Sequence, residues 1–161
     1  MADLTHFSPD GSSRMVDVGE KPMTLRMARA EGEVLMKPET LQLLQQRTAR
    51  KGDVLEVARL AGIMASKQTA TLIPLCHHVP LDRVTIEFRF PSESRVTVEA
   101  CVSCTAKTGV EMEALTAVSV VCLTIYDMCK AVDRGMQIEH IRLIEKSGGR
   151  SGHFVRDVPT T

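Results

Sequence analysis

The chain predicts an α+β fold: an antiparallel sheet with helices packed against one face. Two strictly alternating segments close together, Val84–Phe90 and Arg95–Cys104, read as a β-hairpin with one face on a core. They are followed by a long apolar stretch, Thr108–Asp133, whose period is that of a helix. The 161 residues suit one domain large enough to bury its own core.

Residues 1–20 are rich in Ser, Asp, Gly and Pro around short apolar pieces, and read as a flexible arm that docks in places. From Met23 to Met36 neither period is clean. A long strand fits best, with Gly32 as a bulge or bend. Pro38 then suits a first helical turn, and Glu39–Gln46 forms a short helix. Lys51-Gly-Asp53 restarts the chain, with Asp53 as N-cap of a helix through Lys67. Its inward positions include Ala and Gly, which let another helix approach. No helix runs through Leu72–Leu81, where Pro74 and Pro80 bracket Cys76, His77 and His78.

The long helix opens on Thr108-x-x-Glu111, the pattern of a capping box. Leu115, Val118, Cys122, Ile125, Cys129 and Val132 mark one side, and Ala114, Ala117, Val120 and Thr124 the other. A helix apolar nearly all round should be buried. Asp127 and Lys130 stand out on it, one turn apart. Either they form a structural i,i+3 pair, or Lys130 is partly desolvated and able to relay protons near neutral pH. Gln137–Lys146 is the last strand, within a domain spanning 21–152, and a polar tail covers 153–161.

Composition bounds the function. Formal net charge is zero and aromatic content is 3% with no Trp, which disfavours a nucleic-acid partner. No apolar run points to a membrane span. Five cysteines without an export signal point to a reducing cytoplasm. The terminal Lys146-Ser-Gly-Gly-Arg-Ser-Gly152 run suits an oxyanion, because backbone amides and basic side chains converge there; a solvated linker has the same composition. Cys101 and Cys104 lie three apart on a strand, hence on opposite faces, and cannot serve one zinc ion together. A metal site is therefore not expected. On the residues alone, the ligand is a phosphorylated small molecule.

Five motifs go further. Lys107-Thr-Gly-Val-Glu-Met-Glu-Ala-Leu-Thr-Ala, Leu123-Thr-Ile-Tyr-Asp-Met-Cys-Lys130, Ile73-Pro-Leu-Cys-His77, Lys51-Gly-Asp and Lys146-Ser-Gly-Gly closely resemble the cyclic pyranopterin monophosphate synthase family of molybdenum cofactor biosynthesis. The resemblance runs over practically the whole chain. It implies a ferredoxin-like fold and a lyase that rearranges 3′,8-cyclo-7,8-dihydro-GTP into cyclic pyranopterin monophosphate, releasing pyrophosphate. It further implies a homohexamer, a trimer of dimers, with the pocket near a subunit interface. No cofactor is implied, although Mg²⁺ could accompany the triphosphate.

Carried over by motif, Asp127, Lys51 and Lys130 are the catalytic set. Leu75, Cys76, His77, Met112 and Glu113 are substrate-contacting, and Arg26, Lys67, His6, Glu111 and Lys146 complete a mostly cationic pocket. Two positions depart from the family pattern: His78 replaces the usual proline, and Arg150 replaces the usual lysine. From other classes, a non-catalytic nucleotide-binding oligomer and a zinc-dependent hydrolase are the competing readings.

Overall fold

The computed structural model describes residues 6–46 and 53–157. Five strands form one antiparallel sheet in the order β2-β3-β1-β4-β5, with β1 at Thr24–Leu35, β2 at Arg83–Ser92, β3 at Arg95–Ala106, β4 at Gln137–Ser147 and β5 at Phe154–Val155. The helices are α1 (Pro38–Gln45), α2 (Val54–Lys67), α3 (Thr69–Leu72) and α4 (Glu111–Cys129). Helix α4 packs on β1, β3 and β4, and α2 packs beside it against α4 and β2. This is the expected α+β arrangement with ferredoxin-like topology.

The ambiguity of the first strand has a packing cause. Along β1 the residues facing the helices are Arg26, Ala28, Ala30, Gly32 and Val34, all buried. Three of the five are Ala or Gly because α4 lies close. A Cβ on Gly32 would sit 2.6 Å from Val118 Cγ1. Small inward residues blur the alternation that ordinarily announces a strand. The pairing with β4 shifts between Glu31 and Glu33, which places the anticipated irregularity at Gly32.

The open face of the sheet carries interleaved charges. Arg29 meets Glu99 at 3.7 Å and Glu145 at 3.5 Å, while Glu31 joins Arg89 at 3.1 Å and Arg142 at 2.9 Å. Cys101 lies on this face and Cys104 in the core, so the two thiols do point apart. Cys76, Cys101, Cys104 and Cys122 are free thiols.

Helix α4 differs from expectation in three respects. Its N-cap is Val110, not Thr108, and no side chain caps it, so the capping box does not form. It ends at Cys129 rather than Asp133. It is not buried all round, since Leu123 is 57% exposed. By length and composition it could also cross a membrane, which the sequence reading did not anticipate; here half of it is buried within the fold. Asp53 does cap α2, accepting from the amides of Leu55 and Glu56 at 3.1 and 3.2 Å. Neither α3 nor β5 was anticipated. The latter pairs Phe154 and Val155 with Lys146 and Glu145, inside the segment read as a polar tail.

Register and connectivity divide the molecule into two ends. Thr24 pairs with Ala106 and Met27 with Ser147, so the start of β1, the ends of β3 and β4 and the N-terminus of α4 share one end. Leu35 pairs with Arg95 and Gln137, which puts the hairpin turn and the C-terminus of α4 at the other.

Candidate active site

The first end holds a cleft with two adjoining lobes. The larger, about 530 Å³, is lined by Lys21, Arg26, Lys107, Lys146, Gly148, Gly149 and Arg150 among others. The smaller, about 290 Å³, is lined by His6, Val16, Val18, Leu75, Cys76, His77, Val79, Met112 and Glu113. Lys21, Thr108, Gly109 and Glu111 border both. One lobe is cationic. The other is mostly apolar with a thiol, imidazoles and a carboxyl at its wall.

The cationic lobe is shaped by two glycines. Arg26, 8% exposed, donates from Nε to the Ala106 carbonyl at 3.3 Å and from Nη2 to the Lys107 carbonyl at 3.2 Å. These bonds hold the guanidinium against the end of β3. The loop after β4 closes directly on it. A Cβ on Gly149 would lie 1.7 Å from Arg26 Nη1, and one on Gly148 2.1 Å from the Leu25 carbonyl oxygen. Both have positive φ, 74° at Gly149 and 96° at Gly148, which L residues rarely adopt. The Gly-Gly pair is thus a packing requirement of Arg26. Lys146 reaches Glu111 at 3.3 Å and also donates to Ser151. Among the described residues, one carboxylate, that of Glu111, borders this lobe, against five basic side chains. Such a lobe suits an oligophosphate.

In the apolar lobe, Glu113 is 5% exposed. Burial raises its pKa, and the nearby charge of Glu111 pushes the same way. The Cys76 thiol is also raised, by burial first and then by Glu113. Both causes disfavour the thiolate form of this sulfur. His77 donates from Nε2 to the Val16 carbonyl at 2.8 Å; a carbonyl only accepts, so that nitrogen carries a proton. Met112, taken on its own as packing, borders the lobe and is 36% exposed.

Of the site residues expected from sequence, Arg26, Leu75, Cys76, His77, Glu111, Met112, Glu113, Lys146 and His6 line this cleft. Lys67 ends α2 and is exposed, outside either lobe. Asp127 and Lys130 are elsewhere. They sit at the C-terminus of α4, roughly 24 Å (Asp127) and about 28 Å (Lys130) along the helix from Glu111 at 1.5 Å per residue. Lys51 lies outside the described residues.

The Asp127–Lys130 pair itself is formed, Nζ to Oδ1 at 2.6 Å. The desolvated, lowered-pKa lysine is not. In this chain the side chains are 67% and 56% exposed, and Asp127 raises the Lys130 pKa by its hydrogen bond and charge. An exposed ammonium beside a carboxylate gains stabilisation without losing water, so the shift runs upward.

Sequence reasoning missed Lys21 and Lys107. Both face the cleft, and Lys107 stands in the motif that opens the α4 segment. A lysine at the end of a buried strand, just before a helix whose start is also the pocket wall, is the signal that could have found it.

Fold and cleft together define an α+β protein of ferredoxin-like topology with a two-lobed, partly cationic cleft at one end of its sheet. The sequence model of the MoaC family matches residues 15–149. A protein of Magnetococcus marinus named cyclic pyranopterin monophosphate synthase is 64% identical, over 98% of this chain and 97% of its own. Proteins of the same name from Roseiflexus sp. and Thermomicrobium roseum are 61% and 58% identical, again over 98% of this chain, and over 100% and 95% of theirs. The chain belongs to the MoaC family and is an enzyme.

Proposed function

We propose that this enzyme serves molybdenum cofactor biosynthesis in the cytoplasm, converting 3′,8-cyclo-7,8-dihydro-GTP to cyclic pyranopterin monophosphate and pyrophosphate. The observation that carries the reading is the two-lobed cleft. A ligand with a charged triphosphate at one end and a fused ring at the other fits one cationic lobe joined to one apolar lobe. The relatives' names carry the product, cyclic pyranopterin monophosphate, while the substrate and the released pyrophosphate come from the motif resemblance.

In this reading Arg26, Lys146, Arg150 and the Gly148–Gly149 loop hold the phosphates. Glu113, Cys76 and His77 border the ring. Opening the imidazole ring, closing the pyrazine ring and driving a hydroxyl onto the α-phosphorus move protons and build negative charge. Lys51 and Lys130 are assigned that work, with Asp127 holding Lys130. No resident metal or cofactor is assigned; Mg²⁺ would enter with the triphosphate.

The separation of Asp127 and Lys130 from the cleft is met by assembly. In a homohexamer built as a trimer of dimers, the α4 C-terminus of one copy faces the cleft of another. The row Val57, Leu60 and Met64 on α2, 44–59% exposed, and Leu123 on α4 offer an apolar surface for such pairing.

Incubation of the wild-type protein and Lys51→Ala with the cyclised nucleotide tests the reaction. The wild type is expected to release pyrophosphate and form the pterin, and the variant neither. A wild-type protein that releases no pyrophosphate would overturn the proposal and favour a non-catalytic nucleotide-binding oligomer.

A further inference from the structure

The N-terminal arm is folded against the cleft. Residues 6–14 form a small loop closed by the Phe7–Ser13 bridge and by Arg14 donating to the His6 carbonyl at 2.9 Å. Asp17 then accepts from the Gly19 amide at 2.7 Å, and the Lys21 amide donates to the Val18 carbonyl at 3.1 Å, making a tight turn over 18–21. Two side chains of the cleft wall grip this arm by its backbone. His77 donates to Val16, and Lys107 donates to the carbonyl of Gly19, inside the turn. The last residue of the turn is Lys21, which borders both lobes.

We propose that Lys107 is a positioning residue: by holding the Gly19 carbonyl it fixes the 18–21 turn, so that Lys21 stands where the phosphate lobe meets the ring lobe. A cation at that junction faces the phosphate nearest the ring, the one that must keep its bond to the ligand while the outer two leave. The inference rests on the substrate class proposed above. A lysine on a flexible arm would lose ordering entropy on binding, and one held by its own turn does not. Lys107 thus acts on the ligand through Lys21. His77 does the same for the arm one step upstream, which gives this imidazole a role in the ligand-free protein.

Two measurements on the full-length protein test this. The first needs no ligand: amide hydrogen exchange at Gly19 and Lys21. In Lys107→Met these amides are expected to exchange about tenfold faster, the factor that losing one charge-assisted hydrogen bond carries, with strand amides unchanged. Lys107→Arg, which keeps a donor, is expected to restore most of the protection. Unchanged exchange at the two arm amides overturns the proposal.

The second is a double-mutant cycle on the KM for the cyclised nucleotide. Lys107→Met and Lys21→Met are each expected to raise KM about tenfold, and the double variant no further, because both remove the same interaction. Losses that multiply would show that Lys107 contacts the ligand itself, and would also overturn it. A wild-type protein without turnover fails the activity reading alone, since the exchange result stands without substrate.

Discussion

At the scale of single residues, the buried carboxyl of Glu113 makes the sharpest prediction. Burial raises its folded pKa above the ordinary value of 4.5, so the folded chain binds this proton more tightly than the unfolded chain. Stability from this group is therefore lost as pH rises from the unfolded value through the folded one, and the cost is complete above both. Gln has the same shape and no proton to lose. Glu113→Gln is expected to melt a few degrees above wild type near pH 8, with the gap closing near pH 4. Melting curves at the two pH values decide it; an equal gap at both would show that charge is not the cause. The same variant is expected to lose activity, the common penalty of a group kept for function. Burial of Glu113 was not legible from sequence, where Glu111 and Glu113 looked alike at a helix start. A step of two helical positions decides which carboxylate borders both lobes and which turns inward.

At the scale of elements, the close packing of α2 on α4 is set by one glycine. A Cβ at Gly62 would lie 2.4 Å from Val121 Cγ2 and 2.5 Å from Ile86 Cδ1, with the Ala117 carbonyl at 3.1 Å. Ala is ordinarily the better helix former, by roughly 1 kcal/mol. Here overpacking opposes it, and Gly62→Ala is expected to destabilise the fold by about 1–3 kcal/mol, read from denaturant midpoints. A stabilised variant would mean that Ile86 and Val121 repack freely. The small residues of α2 did predict a close helix neighbour, and the alternation of β2 and β3 predicted their hairpin. Local hydrogen bonding was less legible. Asp53 caps its helix as its position implied, whereas Thr108 does not, because the strand end and the Lys107–Gly109 cleft wall claim its place. Capping patterns state what a side chain could do; tertiary packing decides whether the helix begins there.

At the scale of the whole molecule, the expected catalytic set shows the limit of reading one chain. Motifs named Glu113 and Lys130 as partners in one site, and the fold puts them at opposite ends of α4. Nothing in periodicity carries which end faces which, because that relation belongs to an assembly rather than to a helix. A test follows from the two-ended arrangement. Glu113→Ala removes a cleft residue and Lys130→Ala removes a far-end residue, so each alone is expected to be inactive. If one copy supplies the cleft and its partner the far end, a mixed pair holds one site with both defects and one with neither. Mixing the two variants in equal amounts, dissociating them and letting them reassemble is then expected to restore about a quarter of wild-type activity, since half the pairs are mixed and half the sites in each are intact. A site built within a single chain would restore nothing, because every chain in the mixture still carries a defect. Recovery of pyrophosphate release therefore reports directly that Asp127 and Lys130 reach the cleft of another copy, and its absence would return them to the role of a surface ion pair.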